Sequence, residues 1–90
     1  MKVSIITISY NSGKSISDAI NSVVSQSYSD IEYIIVDGKS TDNTVEIIES
    51  YGKKISKFIS EPDKGIYDAL NKGINMASGD IIGFMHSDDI

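Results

Sequence analysis

Cysteine, tryptophan and arginine are all absent from the 90 residues, and proline occurs once. The lack of cysteine excludes disulfide scaffolds, cysteine-based zinc sites and thiol catalysis, and it points to a reducing compartment. A chain this short makes at most one small domain, burying about 60–65% of the surface its unfolded form exposes, so the core is modest. All eight basic residues are lysine, against thirteen Asp and Glu, for a net charge of −5. That balance argues against nucleic acid and against an anionic membrane surface as partners, since both are bound by basic faces. A phosphate-bearing ligand would need a metal ion to supply the positive charge that the protein lacks. The first apolar stretch, Val3 to Ile8, is broken by Ser4 and Thr7 and is far shorter than a signal-peptide core or a membrane span. The expectation is a soluble, cytoplasmic domain.

Four runs rich in Ile and Val are present: Val3–Ile8, Ile31–Val36, Ile55–Ser60 and Ile81–Met85. Each is bounded by Ser, Asp, Asn or Gly and predicts a short strand. The first two are nearly continuous in apolar residues, the pattern of parallel strands covered on both faces. Helical patterns lie between the runs. Ile16, Ala19, Ile20, Val23 and Val24 fall on one helical stripe, with Ser17, Asp18, Asn21 and Ser22 on the other side. A second helix is expected from Asp42 or Asn43, with Asn43 and Glu46 spaced as a capping box, burying Val45, Ile48 and Tyr51 before Gly52. After the turn Glu61 to Gly65, a third helix is expected to bury Ile66, Leu70, Ile74 and Ala77 and to stop at Gly79. The strand–helix alternation predicts an α/β fold: a doubly wound, Rossmann-like, mainly parallel sheet of about four strands with helices on both faces.

Ligands of such sheets bind beyond the carboxyl ends of the strands. Those ends carry Ser9 to Gly13, Asp37 to Ser40, Glu61 to Gly65 and His86 to Asp89. Gly13-Lys14-Ser15 imitates the end of a phosphate-binding P-loop, but that motif needs a further Gly where Ile8 stands, and no G-x-G-x-x-G follows any strand. Asp37, followed by Gly38, reads equally as a turn residue or as an acceptor for a nucleobase or ribose. Tyr10 reads as a ring to stack on a base or as a rim aromatic. Asp88-Asp89 reads as a hard-cation site or as an acidic chain end. His86 reads as an edge residue or a partner of that site.

Together these stretches resemble the amino-terminal, nucleotide-sugar-binding half of a family 2 glycosyltransferase with the GT-A fold. The resemblance is carried by Val3 to Asn11, Ile34 to Thr44, Asn71 to Ile74, Ala77 to Ile82 and Ser87-Asp88-Asp89. The run Ser60 to Ala69 is similar to a subgroup tied to bacterial surface-polysaccharide synthesis. The resemblance implies an inverting transfer of sugar from a nucleotide-diphosphate sugar to a saccharide or lipid-linked saccharide hydroxyl. It implies Ile8, Tyr10, Asp37 and Asp88 at the nucleotide, with Asp89 and Asp88 on a Mn²⁺ or Mg²⁺ ion that bridges the diphosphate. The full-length enzyme would be cytoplasmic or peripheral to the inner membrane.

The chain departs from the family pattern at three places: Asp37-Gly38 where two acids are usual, Leu70 where Arg is common, and His86 where Asp is frequent. In the family the acceptor half and the general base follow the carboxylate pair. The expectation is therefore a domain truncated after that pair, inactive in transfer and prone to self-association through an exposed sheet edge. The competing class is a non-catalytic nucleotide-binding α/β module, which would bind nucleotide without metal. A packing-only structural half would bind no ligand at all.

Overall fold

A computed structural model describes residues 1–26 and 30–85. The elements run β1 (Val3–Ser9), α1 (Ile16–Val24), β2 (Ile31–Asp37), α2 (Thr44–Ser50), a 3₁₀ turn (Gly52–Lys54), β3 (Lys57–Ser60), α3 (Ile66–Met76) and β4 (Ile81–Phe84). The four strands form one sheet in the order β3-β2-β1-β4, and every pairing is parallel. The α/β expectation is met, with strands covered on both faces at the centre.

Alternation along β2 divides the core into two layers. Tyr33 and Ile35 face α1 and α2, where they pack with Ile16, Ile20, Val23 and Ile48. Ile34 and Val36 face the opposite side and pack with Ile6 and Ala69, beneath α3. The first helix buries the stripe its spacing predicts: Ile16, Ala19, Ile20 and Val23 are buried and Val24 packs against the same cluster. Tyr33 carries a hydroxyl into this layer, where it shares a 2.8 Å hydrogen bond with Thr7 Oγ1, and burial raises its pKa.

Five expectations are corrected. β3 begins at Lys57 rather than Ile55, because the 3₁₀ turn runs into Ile55 and Ser56 satisfies Tyr33 N–H through its own Oγ at 3.0 Å. The Asn43–Glu46 capping box does not form. Asp42 Oδ1 accepts the Thr44 N–H at 3.0 Å instead, and Ile48 and Thr44 are the buried residues of α2, with Val45 and Tyr51 half-buried.

The third helix turns a different face to the sheet. Ala69 and Gly73 are buried, whereas Ile66 and Ile74 are exposed. Small residues let the helix axis approach β1: a Cβ on Gly73 would lie 2.7 Å from Ile6 Cγ2. The helix ends at Met76 with Ala77 already extended, and Gly79, expected as its stop, gives its N–H to Ser4 Oγ at 2.8 Å.

The opposite end of the sheet is tied by Glu32, a buried carboxylate near the start of β2. Its Oε1 accepts from Ser4 Oγ at 2.9 Å and Ser78 N at 2.8 Å, and its Oε2 accepts from Ser78 Oγ at 2.9 Å and pairs with Lys57 Nζ at 3.2 Å. Hydrogen bonding, led by the Ser78 N–H, lowers its pKa to about 2. Lys57 Nζ also donates to Met76 O, so the network links β1, β2, β3 and the end of α3. On β4, Ile81, Ile82 and Phe84 are exposed. No helix among the described residues is long and apolar enough to cross a membrane.

Candidate functional site

The chain lays β1, β2 and β3 outward in one direction and then crosses to place β4 on the other side of β1. The order reverses beside β1, and in open parallel sheets the crevice at such a reversal is the natural ligand site. A cleft of about 630 Å³ lies there. Its walls are mainly apolar, with Ile6 and Ile8 from β1, Ala69 and Leu70 from α3, and Phe84 and Met85 at the end of β4. Ser9, Tyr10, Ser12 and Asp63 add polar atoms.

The loop after β1 is built around Asn11, whose φ of 48° is left-handed, a conformation that Asn tolerates better than most side chains. The Asn11 carboxamide oxygen accepts from Thr41 N at 2.8 Å and from the Thr41 hydroxyl at 3.3 Å, and Asn11 N–H donates to Ser40 Oγ at 2.8 Å. The loops after β1 and β2 are thereby joined. Gly13 N–H donates to Asp42 Oδ2 at 3.1 Å, so this backbone group serves the loop junction rather than a phosphate. The Thr44 hydroxyl, foremost among several donors, holds the Asp42 carboxyl below the usual range.

The sequence-predicted residues separate into three groups. Ile8 and Tyr10 line the cleft, and the Tyr10 ring is exposed at its rim. Asp37 does not line it. Its carboxylate is fully buried and accepts four hydrogen bonds, from Ser9 Oγ (2.7 Å), Ser40 N (2.8 Å), Ser40 Oγ (2.6 Å) and Ser60 Oγ (2.9 Å). Those donors come from the ends of β1 and β3 and from the loop after β2. Asp88, Asp89 and His86 lie outside the described residues.

Asp63 is the residue that pattern reading passed over, because Pro62-Asp63-Lys64-Gly65 reads as a plain turn. It is half-buried and lines the cleft, with Oδ1 accepting the Gly65 N–H at 3.2 Å. An ideal Cβ on Gly38 would lie 3.0 Å from Asp63 Oδ2 and 3.4 Å from Tyr10 Cδ1, so both side chains pack against the bare backbone of Gly38. The available signal was Gly38 itself, whose missing side chain leaves room for a group from another loop.

Among the described residues no group of three or more His, Cys, Asp or Glu side chains is arranged to hold a metal ion. Among the described residues no lysine lines the cleft. β4 pairs with β1 up to Phe84 opposite Ile6, and Met85 N–H continues to Ile6 O at 3.0 Å, so the last described residue, Met85, stands at the cleft wall, three positions before Asp88 in the sequence.

Residues 4–90 match the family model described as Glycosyl transferase family 2. The chain is 40% identical over 89 residues to the Escherichia coli UDP-Glc:alpha-D-GlcNAc-diphosphoundecaprenol beta-1,3-glucosyltransferase WfgD, covering 98% of this chain and 35% of that protein. It is similar to the crystal structure of Staphylococcus aureus TarS 1-349 in complex with UDP-GlcNAc, with a TM-score of 0.88 and 32% identity over 98% of this chain and 27% of that one. It is also similar to the mannosyltransferase PcManGT from Pyrobaculum calidifontis in complex with GDP-Man and Mn²⁺, with a TM-score of 0.81 and 25% identity over 90% of this chain and 26% of that one. The chain spans about a third of the length of the curated relatives it matches.

Proposed function

Because the chain belongs to glycosyl transferase family 2, we propose that it forms the nucleotide-sugar-binding part of an enzyme transferring sugar from a nucleotide-diphosphate donor to an acceptor hydroxyl, with inversion. The observation that carries the reading is the apolar cleft at the strand-order reversal, rimmed by Tyr10 and opening beside the end of β4. Apolar walls and an exposed ring suit a nucleoside, and few polar groups are enough to orient it. Ile8 forms part of the cleft floor. Two relatives support the donor class, since TarS was solved with UDP-GlcNAc and PcManGT with GDP-Man.

The donor's diphosphate must be neutralised, and among the described residues the cleft offers no lysine for this. Asp88 and Asp89 are hard oxygen donors, the type that suits Mg²⁺ or Mn²⁺ beside phosphate oxygens, and in the sequence they come four and five residues after the end of the strand that reaches the cleft. In this proposal they hold the ion, which as a Lewis acid would favour departure of the diphosphate. This chain's own contribution is to seat the nucleoside between Tyr10 and the β1 terminus, to exclude water with the apolar wall of α3, and to present the carboxylates. The acceptor is proposed to be a saccharide or lipid-linked saccharide of bacterial surface-polysaccharide synthesis, reached from the cytoplasm or the inner-membrane surface; the WfgD name, with its diphosphoundecaprenol acceptor, supports this class.

The test is calorimetric titration of the chain with UDP and GDP, with and without Mn²⁺, on wild type and Asp89→Ala. The expected result is metal-dependent binding that Asp89→Ala abolishes. Metal-dependent binding that survives Asp89→Ala would overturn the carboxylate assignment, and absence of nucleotide binding under every condition would overturn the donor-site reading.

A further inference from the structure

The turn between β3 and α3, with the first residue of the helix, supplies Asp63, Gly65 and Ile66 to the lining of the cleft. Its own sequence holds it only in part. Asp63 Oδ1 accepts the Gly65 N–H at 3.2 Å, but Pro62 has no N–H to donate, and Gly65, at a φ of 124°, opens α3 with no side chain to cap it. The helix that follows buries Ala69 and Gly73, both small, so apolar burial restrains its start only weakly.

On the sheet side the turn is anchored by the Glu61 N–H, which donates to Asp37 O at 3.0 Å. On the helix side the anchor is Lys72. Its ammonium donates to Pro62 O at 2.9 Å, pairs with Glu61 Oε1 at 3.0 Å and lies 3.7 Å from Asp68 Oδ2. The same Asp68 oxygen accepts the Lys64 N–H at 3.0 Å. One cation thereby gathers the residue after β3, the turn carbonyl and the first turn of α3. A lysine paired with the carboxylate four residues earlier is a common decoration of a solvated helix face. Here that pair is the longest of the three contacts, the two shorter ones go to the turn, and the Lys72 side chain is only 21% exposed. The bond to Glu61, foremost among the causes, raises the Lys72 pKa above its usual value, so the group stays charged.

Lys72 is not among the residues lining the cleft; the turn that it holds is. We infer that Lys72 is a positioning residue of the site, clamping the 61–65 turn onto α3 and so setting one wall of the cleft before a ligand arrives, without touching the ligand. A wall fixed beforehand spares the ligand the cost of ordering it, so the clamp adds affinity without adding a contact. The inference rests on the nucleotide-donor reading and adds to it a residue that acts from behind the wall.

The experiment is NMR titration of the chain with uridine and with UDP in saturating Mg²⁺, on wild type, Lys72→Met, Lys72→Arg and Glu61→Ala. Amide exchange at Lys64 and Gly65 and urea unfolding are measured for each. Methionine keeps an unbranched stem without the charge. Lys72→Met should weaken uridine and UDP alike by about tenfold and speed exchange at Lys64 and Gly65. It should hardly move the urea midpoint, because partly exposed ion pairs contribute little to global stability. Lys72→Arg, which retains the charge and the donors, should recover most of the affinity, and Glu61→Ala, which spares the bond to Pro62 O, should fall between. A loss confined to UDP would mean that Lys72 meets the diphosphate directly and would overturn the positioning role. Wild-type affinity and exchange in Lys72→Met, or an arginine variant no better than methionine, would overturn it while leaving the donor site standing. Should Lys72→Met not fold, unchanged affinity and exchange in Glu61→Ala would overturn the clamp equally. Failure of both ligands to bind wild type would overturn the donor-site reading and this inference together.

Discussion

The Ser9 hydroxyl donates to Asp37 Oδ1 at 2.7 Å, joining the last residue of β1 to its register partner, the last residue of β2. Ser40 Oγ donates to the same oxygen and itself accepts from Asn11 N, while Ser60 Oγ reaches Asp37 Oδ2 from β3. One buried carboxylate therefore ties together the ends of three strands, of which β1 contributes to the cleft wall.

Asp37→Asn should cost about 1–2 kcal/mol and Asp37→Ala about 3 kcal/mol in urea unfolding. Asparagine keeps one oxygen for the Ser40 N–H, and the serine hydroxyls can rotate to accept from its amide. Alanine leaves the Ser40 N–H without its acceptor and opens a hole among three strand ends. Equal stability of wild type and Asp37→Ala would show that the carboxylate does not organise this edge.

Glu32 gives the domain an acid-sensitive end. Its folded-state pKa of about 2 lies below the ordinary 4.5, with the Ser78 N–H as the main cause. Above pH 4.5 the group is ionised in both states and its stabilisation is fully present. As pH falls from 4.5 toward about 2, the unfolded chain takes up the proton first, so stability declines, and below about 2 this contribution is gone. Glu32→Gln should be less stable than wild type at pH 6 and should lose less stability between pH 5 and pH 2 (roughly the window set by the two pKa values). Parallel pH dependences for the two proteins would refute the linkage.

Strands and the α1 stripe were legible because burial there is carried by large apolar side chains whose period follows backbone geometry. β1 and β2 read as nearly unbroken Ile and Val, and both are covered on two faces. The α3 face was misread because it is set by smallness. Ala69 and Gly73 pack against the sheet, while the larger Ile66 and Ile74, which a hydrophobic stripe selects, point outward. Ile8 and Tyr10, singled out at the end of β1, line the cleft. Asp37 stood out for its place at the end of β2, but its saturation by three serines depends on strand neighbours and register that the one-dimensional pattern does not contain. Asp63 escaped because its partner in space, Gly38, is 25 residues away and has no side chain to announce it.

Gly73 and Ile6 test whether α3 is positioned by that smallness. A methyl group at position 73 would meet Ile6 Cγ2 at 2.7 Å and Cδ1 at 3.2 Å, and Ile6 is fully buried, so the branch methyl has little room to retreat. Alanine is the better helix former by about 1 kcal/mol, but overpacking a tight core costs about 1–3 kcal/mol, so Gly73→Ala should be net destabilising by about 1 kcal/mol. In an Ile6→Ala background the obstructing methyls are gone and the helix preference is all that remains. There Gly73→Ala should stabilise by up to about 1 kcal/mol, although Ile6→Ala alone is costly. The double-mutant cycle, measured by urea unfolding, should therefore show a coupling of about 2 kcal/mol between the two sites. The same effect of Gly73→Ala in both backgrounds would mean that α3 shifts freely on the sheet and that its distance from β1 is set elsewhere.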